Sequence, residues 1–252
     1  MKSFYLSVLF VAMVLFCDAA NFTSVATGNW RDGATWGNAS PGASGVDYPA
    51  AGDNATVATG TTVTIAVDET VTNLIIEVGA VLDAFTPNKT LTIDGTLDCD
   101  GTLRANAKDI EFNGGGGTSI DGSGVITISN TGKKFKINAA TSILATADLD
   151  LFCVVELQNG VVVTNNGNVT VSLELTGRNA SSEWINAANS TLYAGDKLMN
   201  TGKLTASAVG NTVIYDGSAN QDIKTPELSG GVATYYNLTI SGAGVKVQKA
   251  AL

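Results

Sequence analysis

Asp94, Asp98, Asp100 and Arg104 are the residues of this chain whose types and spacing come closest to chemistry. Hydrolysis of a glycosidic bond needs two carboxyl groups facing each other across a groove. A calcium-assisted lyase needs acids to hold the ion and a basic group to take a proton. If Leu97 and Cys99 point inward on a strand, Asp98 and Asp100 point outward and share a surface. A second account is open for the same residues. Asp94-Gly95 and Asp100-Gly101 have the form of turn corners, where Asp bonds its own backbone. The spacing also lacks the later Glu of a calcium loop. The sequence contains no histidine, so Ser-His-Asp and Cys-His catalysis and His-ligated zinc are excluded. Arginine occurs only at Arg31, Arg104 and Arg178. No catalytic residue, metal ligand or cofactor site is assigned from the sequence.

Binding chemistry has other candidates. Trp184, Tyr215 and Tyr235 lie in the less regular C-terminal third, where an exposed ring could stack on a sugar. Trp30 and Trp36 offer two readings, a sugar platform or packing over the first repeat. Glycine-rich Asn113 to Gly117 is a loop, since a phosphate cradle needs a following helix and a lysine. The formal charge of −9 and the pI near 4.4 argue against nucleic acid as a partner. They equally argue against charge-driven docking on anionic membranes. Charged residues make up only 15% of the chain, so hydroxyls and amides must solvate much of its surface.

The N-terminus has the form of a secretory signal. Lys2 gives the positive start and Leu6 to Phe16 an apolar stretch too short to span a bilayer. Small residues before the junction predict cleavage after Ala19, or next after Ala20, with lipidation of Cys17 as an alternative. The membrane is then met only during export. Cys99 and Cys153 remain, and export would suggest a disulfide. Both alternate with apolar neighbours, and stacking about three repeats apart would hold them out of bonding range. They are read as buried free thiols. Asn21, Asn38, Asn54, Asn88, Asn168, Asn179, Asn189 and Asn237 begin Asn-x-Ser/Thr triplets. These are glycan acceptors or the by-product of Asn corners followed by Thr-rich strands.

The elements that position these residues are short strands. An apolar-alternating phrase recurs at Thr62–Ile65, Asn73–Ile76, Thr90–Ile93, Val125–Ile128, Lys134–Ile137, Asn168–Val171 and Asn237–Ile240. Gly, Asn or Asp closes most copies, and copies are spaced as stacked coils require. No stretch has a helical stripe of useful length, Ser142 to Asp150 being the nearest. The fold expected is all-β, a right-handed parallel β-helix (β-solenoid) with an N-terminal cap. Its parts are a signal at 1–19, a turn-rich cap at 20–52, solenoid at 53–177, and an irregular segment with further repeats at 178–252. The pattern runs to Leu252 without a polar close, so the chain is read as the front of a longer protein.

Two stretches carry a resemblance. Trp30, Trp36-Gly37, Pro49, Ala51 to Val57, Thr59 to Val63, Leu74 to Leu82 and Leu91 to Leu97 resemble the domain named for its eight glycines. That domain occurs in animal cell-surface and hyaluronan-related proteins and in bacterial surface proteins. Residues 211 to 246, with Val213 to Gly217, Gln221 to Ile223 and Tyr236 to Gly242, resemble a repeat of large secreted surface proteins with parallel β-helix repeats from gliding bacteria. The resemblance implies a parallel β-helix and a surface location and transfers no catalytic residue. The function expected is an exported, non-catalytic, adhesin-like or carbohydrate-binding module that meets a polysaccharide or cell-surface ligand. The alternative is a carbohydrate-active enzyme, a polysaccharide lyase or glycoside hydrolase, on the same fold.

Overall fold

The computed structural model describes residues 19–84, 89–106, 108–114, 118–130, 132–229 and 232–248. The signal segment before Ala19, Asn88 and most of the glycine loop at 114–117 lie outside them. The chain forms a β-solenoid whose turns each add one strand to each of three sheets. Among the described residues face 1 has nine strands, from Asn21–Thr23 and Asn54–Val57 to Lys203–Thr205. Face 2 has ten, from Gly28–Asn29 and Thr62–Thr64 to Asn237–Ile240. Face 3 has seven, from Glu69–Val71 to Lys197–Leu198. Pairing within the faces is parallel throughout, as between Leu74 and Leu97 or Val63 and Leu82. The repeat can be read from stacked amides, since Asn54 and Asn73 are 19 residues apart and Asn165 and Asn186 are 21. The weak helical candidate at Ser142 to Asp150 forms strands Thr141–Ile143 and Asp148–Phe152 instead.

Period-two alternation does the sorting. On face 2 the inward column runs Val63, Leu82, Leu103, Ile126, Leu151, Val171, Ala194 and Tyr215. All of these are buried in one continuous core. Leu173 shares parity with the inward Val169 and Val171 but is not itself a core residue. It sits at a corner, is only partly buried, and Leu175 takes the core position. Corners use glycine in two ways. Gly60 and Gly79 adopt left-handed backbone with φ of 79° and 75°. Gly95 and Gly101 also stand at corners but do not adopt left-handed backbone. Gly101 is needed for room, because a Cβ there would lie 2.4 Å from the Glu77 carbonyl oxygen and 2.5 Å from that of Ala80.

The segment after Ala19 is itself part of the stack. Asn21–Thr23 pairs with Asn54–Thr56, and Gly28–Asn29 with Val63–Thr64. The short 3-10 turn Gly33–Trp36 then folds Trp36 into the core. Trp30 meets Trp36 edge to face at 5.2 Å, and Phe22 meets Trp36 likewise at 6.2 Å. Both indole N–H groups are satisfied internally, Trp30 donating to the Pro49 carbonyl and Trp36 to the Trp30 carbonyl. Buried in this way, the two Trp form no sugar platform.

Candidate functional site

The acidic cluster does not converge. Asp94 sits at the corner between faces 3 and 1, where its carboxylate accepts from the Asn113 amide at 3.0 Å. Asn113 in turn accepts from Asn138 at 2.6 Å, so the corner is an amide ladder. Asp100 occupies the next corner and accepts from both the backbone N–H and the hydroxyl of Ser123 at 2.9 Å. Asp98 points outward from face 1, in register with Ile75 below and Asp121 above. Burial raises the Asp98 carboxyl above its ordinary range, and the charges of Asp100 and Asp121 add to the rise. Arg104 is on face 2, bound to Asp83 at 2.7 Å. Asp98 and Asp121 are neighbours about 4.8 Å apart on one flat sheet, pointing the same way. Side by side in register on one face, the two carboxyls are not set across a groove from each other. Among the described residues no group of three or more His, Cys, Asp or Glu is placed to hold a metal ion.

Burial corrects two of the three aromatic candidates, Trp184 and Tyr215. Trp184 is in register with Val163 and Leu204 and is 0% exposed. Tyr215 is likewise 0% exposed and stacks on Ala194. Its hydroxyl lies 3.1 Å from that of Tyr235 and accepts the Lys224 N–H at 2.9 Å. Tyr235 closes the network by donating to the Lys224 carbonyl. Trp184 and Tyr215 therefore lie inside the C-terminal coils and offer no face to a ligand, while Tyr235 is partly buried against the same core and tied to it through its hydroxyl. Of the adjacent tyrosines it is Tyr236 that is half exposed.

Cys99 and Cys153 are both free and buried. Cys99 lies on face 1 and Cys153 at the corner between Asp148–Phe152 on face 2 and Val154–Leu157 on face 3. They are two coils apart rather than three, and on different sides of the core. Burial pushes both thiols up to about 12, so neither is a nucleophile at neutral pH.

What remains available to a partner is the outward surface of the three faces. Face 3 is occupied with itself. Its outward column runs Thr70, Thr92, Glu111, Lys136, Glu156 and Thr176. Lys136 is 2.6 Å from Asp109 and 3.3 Å from Glu111, while Glu156 pairs with Lys134 and lies 3.7 Å from Arg178. Burial alone would push Glu156 up, but its bonds to Lys134 and Gln158, with the charges of Lys134 and Arg178, hold it below its ordinary range.

Face 1 carries a polar ladder in one column: Asn21, Asn54, Asn73, Thr96, Ser119, Ser142 and Thr164. The amides bond head to tail, Asn54 to Asn21 and Asn73 to Asn54, each at 2.8 Å. Two shallow concavities lie along this column. One is lined by Asn54, Thr56, Asn73 and Thr96, the other by Ser142, Val162, Thr164 and Asn166.

Face 2 is the one that exposes aromatic rings. In Asp148–Phe152, Leu149 and Leu151 point inward, so Asp148, Asp150 and Phe152 point out, and Phe152 is 47% exposed. Asp150, Thr170 and Tyr193 follow one another in the adjacent column. Phe152 and Tyr193 were not singled out from the sequence. The signal was present in the parity of Phe152 with Asp148 and Asp150.

Comparison with protein-family models, with curated proteins and with solved structures finds no match to this chain. The resemblances to the eight-glycine domain and to the surface-protein repeat thus rest on the quoted residues.

Proposed function

We propose that this chain is an exported, non-catalytic β-solenoid that works outside the cell or at its surface. In this reading its side faces engage an extended polymer, a polysaccharide or a cell-surface ligand of similar repeat. The observation that carries the proposal is the run of outward amides and hydroxyls on face 1, one per coil from Asn21 to Thr164, with shallow concavities along it. A solenoid repeats such groups at the strand spacing of about 4.8 Å. Contacts of that kind are individually weak and add along a polymer, so affinity comes from their number. The dispersal of Asp94, Asp98 and Asp100 over two corners and one flat face speaks against the hydrolase or lyase alternative. The N-terminal segment, in the same reading, caps the stack through the Phe22, Trp30 and Trp36 cluster.

The test incubates the mature chain, with calcium present, with a panel of acidic and neutral polysaccharides and follows both retention and polymer size. Retention without shortening of the polymer is expected. Shortening that disappears in Asp98→Asn would replace the proposal with the enzyme reading.

A further inference from the structure

We infer that face 2 carries a binding strip for an uncharged glycan, with Phe152 and Tyr193 as its two stacking rings. The inference rests on the polymer-binding reading above and adds a second contact face beside the face 1 ladder, its anchors and the ligand class.

Three observations combine. The first is exposure of a ring where the chain had a polar alternative. The other outward residues of the strand Asp148–Phe152 are aspartates, yet Phe152 is 47% exposed. Its column neighbour toward the N-terminus is Thr127, so no aromatic partner covers it on that side. The second is spacing. Tyr193 stands two coils further along and one outward column across, through Asp150 and Thr170. Two coil steps and one two-residue step place the two Cα atoms about 12 Å apart, which matches the length of a disaccharide unit rather than a single ring. Tyr193 is partly exposed, and its hydroxyl has no hydrogen-bond partner among the described residues.

The third observation is charge. Among the described residues Arg104 is the only cation on the face 2 strands, and Asp83 holds it at 2.7 Å. Asp148 and Asp150 project from the same strip, with no ion-pair partner among the described residues. A polyanionic glycan would meet these carboxylates with no free cation to offset them. An uncharged sugar meets no such opposition. Its hydroxyls can donate to Asp150 and exchange hydrogen bonds with Thr170, while its apolar C–H face lies on the rings.

The experiment is affinity electrophoresis of the full chain in gels holding soluble xyloglucan, mannan or hyaluronate, with Phe152→Ala, Tyr193→Ala and Phe152→Tyr beside the wild type. Both side chains project away from the core, and equal thermal melting of all four proteins checks that the fold is kept. The expected result is retardation by a neutral glycan and not by hyaluronate. Each alanine variant should weaken binding about fivefold, and Phe152→Tyr should bind as the wild type does. Undiminished retardation of both alanine variants by a neutral glycan would overturn this inference and leave the polymer-binding proposal standing. Preference for hyaluronate would overturn the ligand class. Failure of the wild type to bind any of the three would overturn the inference together with the proposal beneath it.

Discussion

Glu69 occupies an inward position on the first strand of face 3, at the head of the column Glu69, Leu91, Ile110 and Phe135. Its side chain is 5% exposed, and Arg31 from the N-terminal segment, its side chain 49% exposed, meets it at 2.7 Å. The Arg31 side chain also reaches the Asp68 carbonyl at 3.3 Å. Replacing Arg31 by glutamine leaves a buried carboxylate without its charged donor. Breaking a fully buried pair typically costs about 3–5 kcal/mol. Water can reach the outer half of Arg31, so the loss here is about 1–2 kcal/mol. For a chain of this size that lowers the melting temperature by about 2–8 °C.

The pH dependence has a definite sign. Burial raises Glu69 above its ordinary value of 4.5, with the Arg31 bond and charge opposing the rise. A carboxyl raised by folding is a load on the folded state above its folded pKa, and the load vanishes as the proton is taken up. Removing Arg31 raises Glu69 further. The melting difference between wild type and Arg31→Gln is therefore largest near neutral pH and closes as pH falls through the raised value. Thermal melts across pH 4 to 8 measure it, with Arg31→Gln/Glu69→Gln as control. The double variant should recover most of the loss, since a neutral amide tolerates burial better than an orphaned charge. A deficit that stays constant with pH, or a double variant as unstable as the single one, would refute the reasoning.

Gly101→Ala should be severely destabilising, by about 3 kcal/mol or more, because its Cβ would enter the Glu77 and Ala80 carbonyls at 2.4 and 2.5 Å. Gly60→Ala, with nothing within 4 Å but φ of 79°, should cost only about 1 kcal/mol in denaturant unfolding. Cys99 and Cys153 should stay unlabelled by a thiol reagent at pH 8 until the chain unfolds, and intact mass should show no disulfide. Asn186→Ala removes the 2.9 Å acceptor of the fully buried Asn165 amide and the donor to the Thr212 carbonyl. It should cost about 2–3 kcal/mol in the same assay.

Much of the fold is legible because strand alternation in a solenoid is reinforced at every coil. Val57, Val63, Ile65, Leu74, Ile76 and Leu82 read as one inward face and are all fully buried. Corner chemistry was legible only in part. Asp and Asn beside Gly mark corners, but whether a glycine serves handedness, as Gly60 does, or clearance, as Gly101 does, depends on the coil beneath it. The aromatic residues were misread for a related reason. In Glu183–Asn186 the inward pair is Trp184 and Asn186, while Ile185 faces out. Hydropathy alone suggests the reverse. The register with Val163 and Leu204 decides it, and a buried amide ladder from Asn165 to Asn186 makes the polar inward position tolerable. Tyr215 shares parity with Val213 and could have been placed inside from the strand Thr212–Tyr215. The parity of Phe152 with Asp148 and Asp150 pointed outward with equal clarity. Interior and exterior are set by register first and residue type second.

The central claim is that this solenoid binds a polymer through repeated side-face contacts and does not cut it. Its most direct test is titration calorimetry of the mature chain with one polysaccharide and its size-graded oligosaccharides, with the polymer's size distribution measured afterwards. Affinity that climbs with chain length over several sugar units, with the polymer's size unchanged, is the predicted result. Affinity already complete for a monosaccharide, or a polymer shortened by the wild type and left whole by Asp98→Asn, would contradict it.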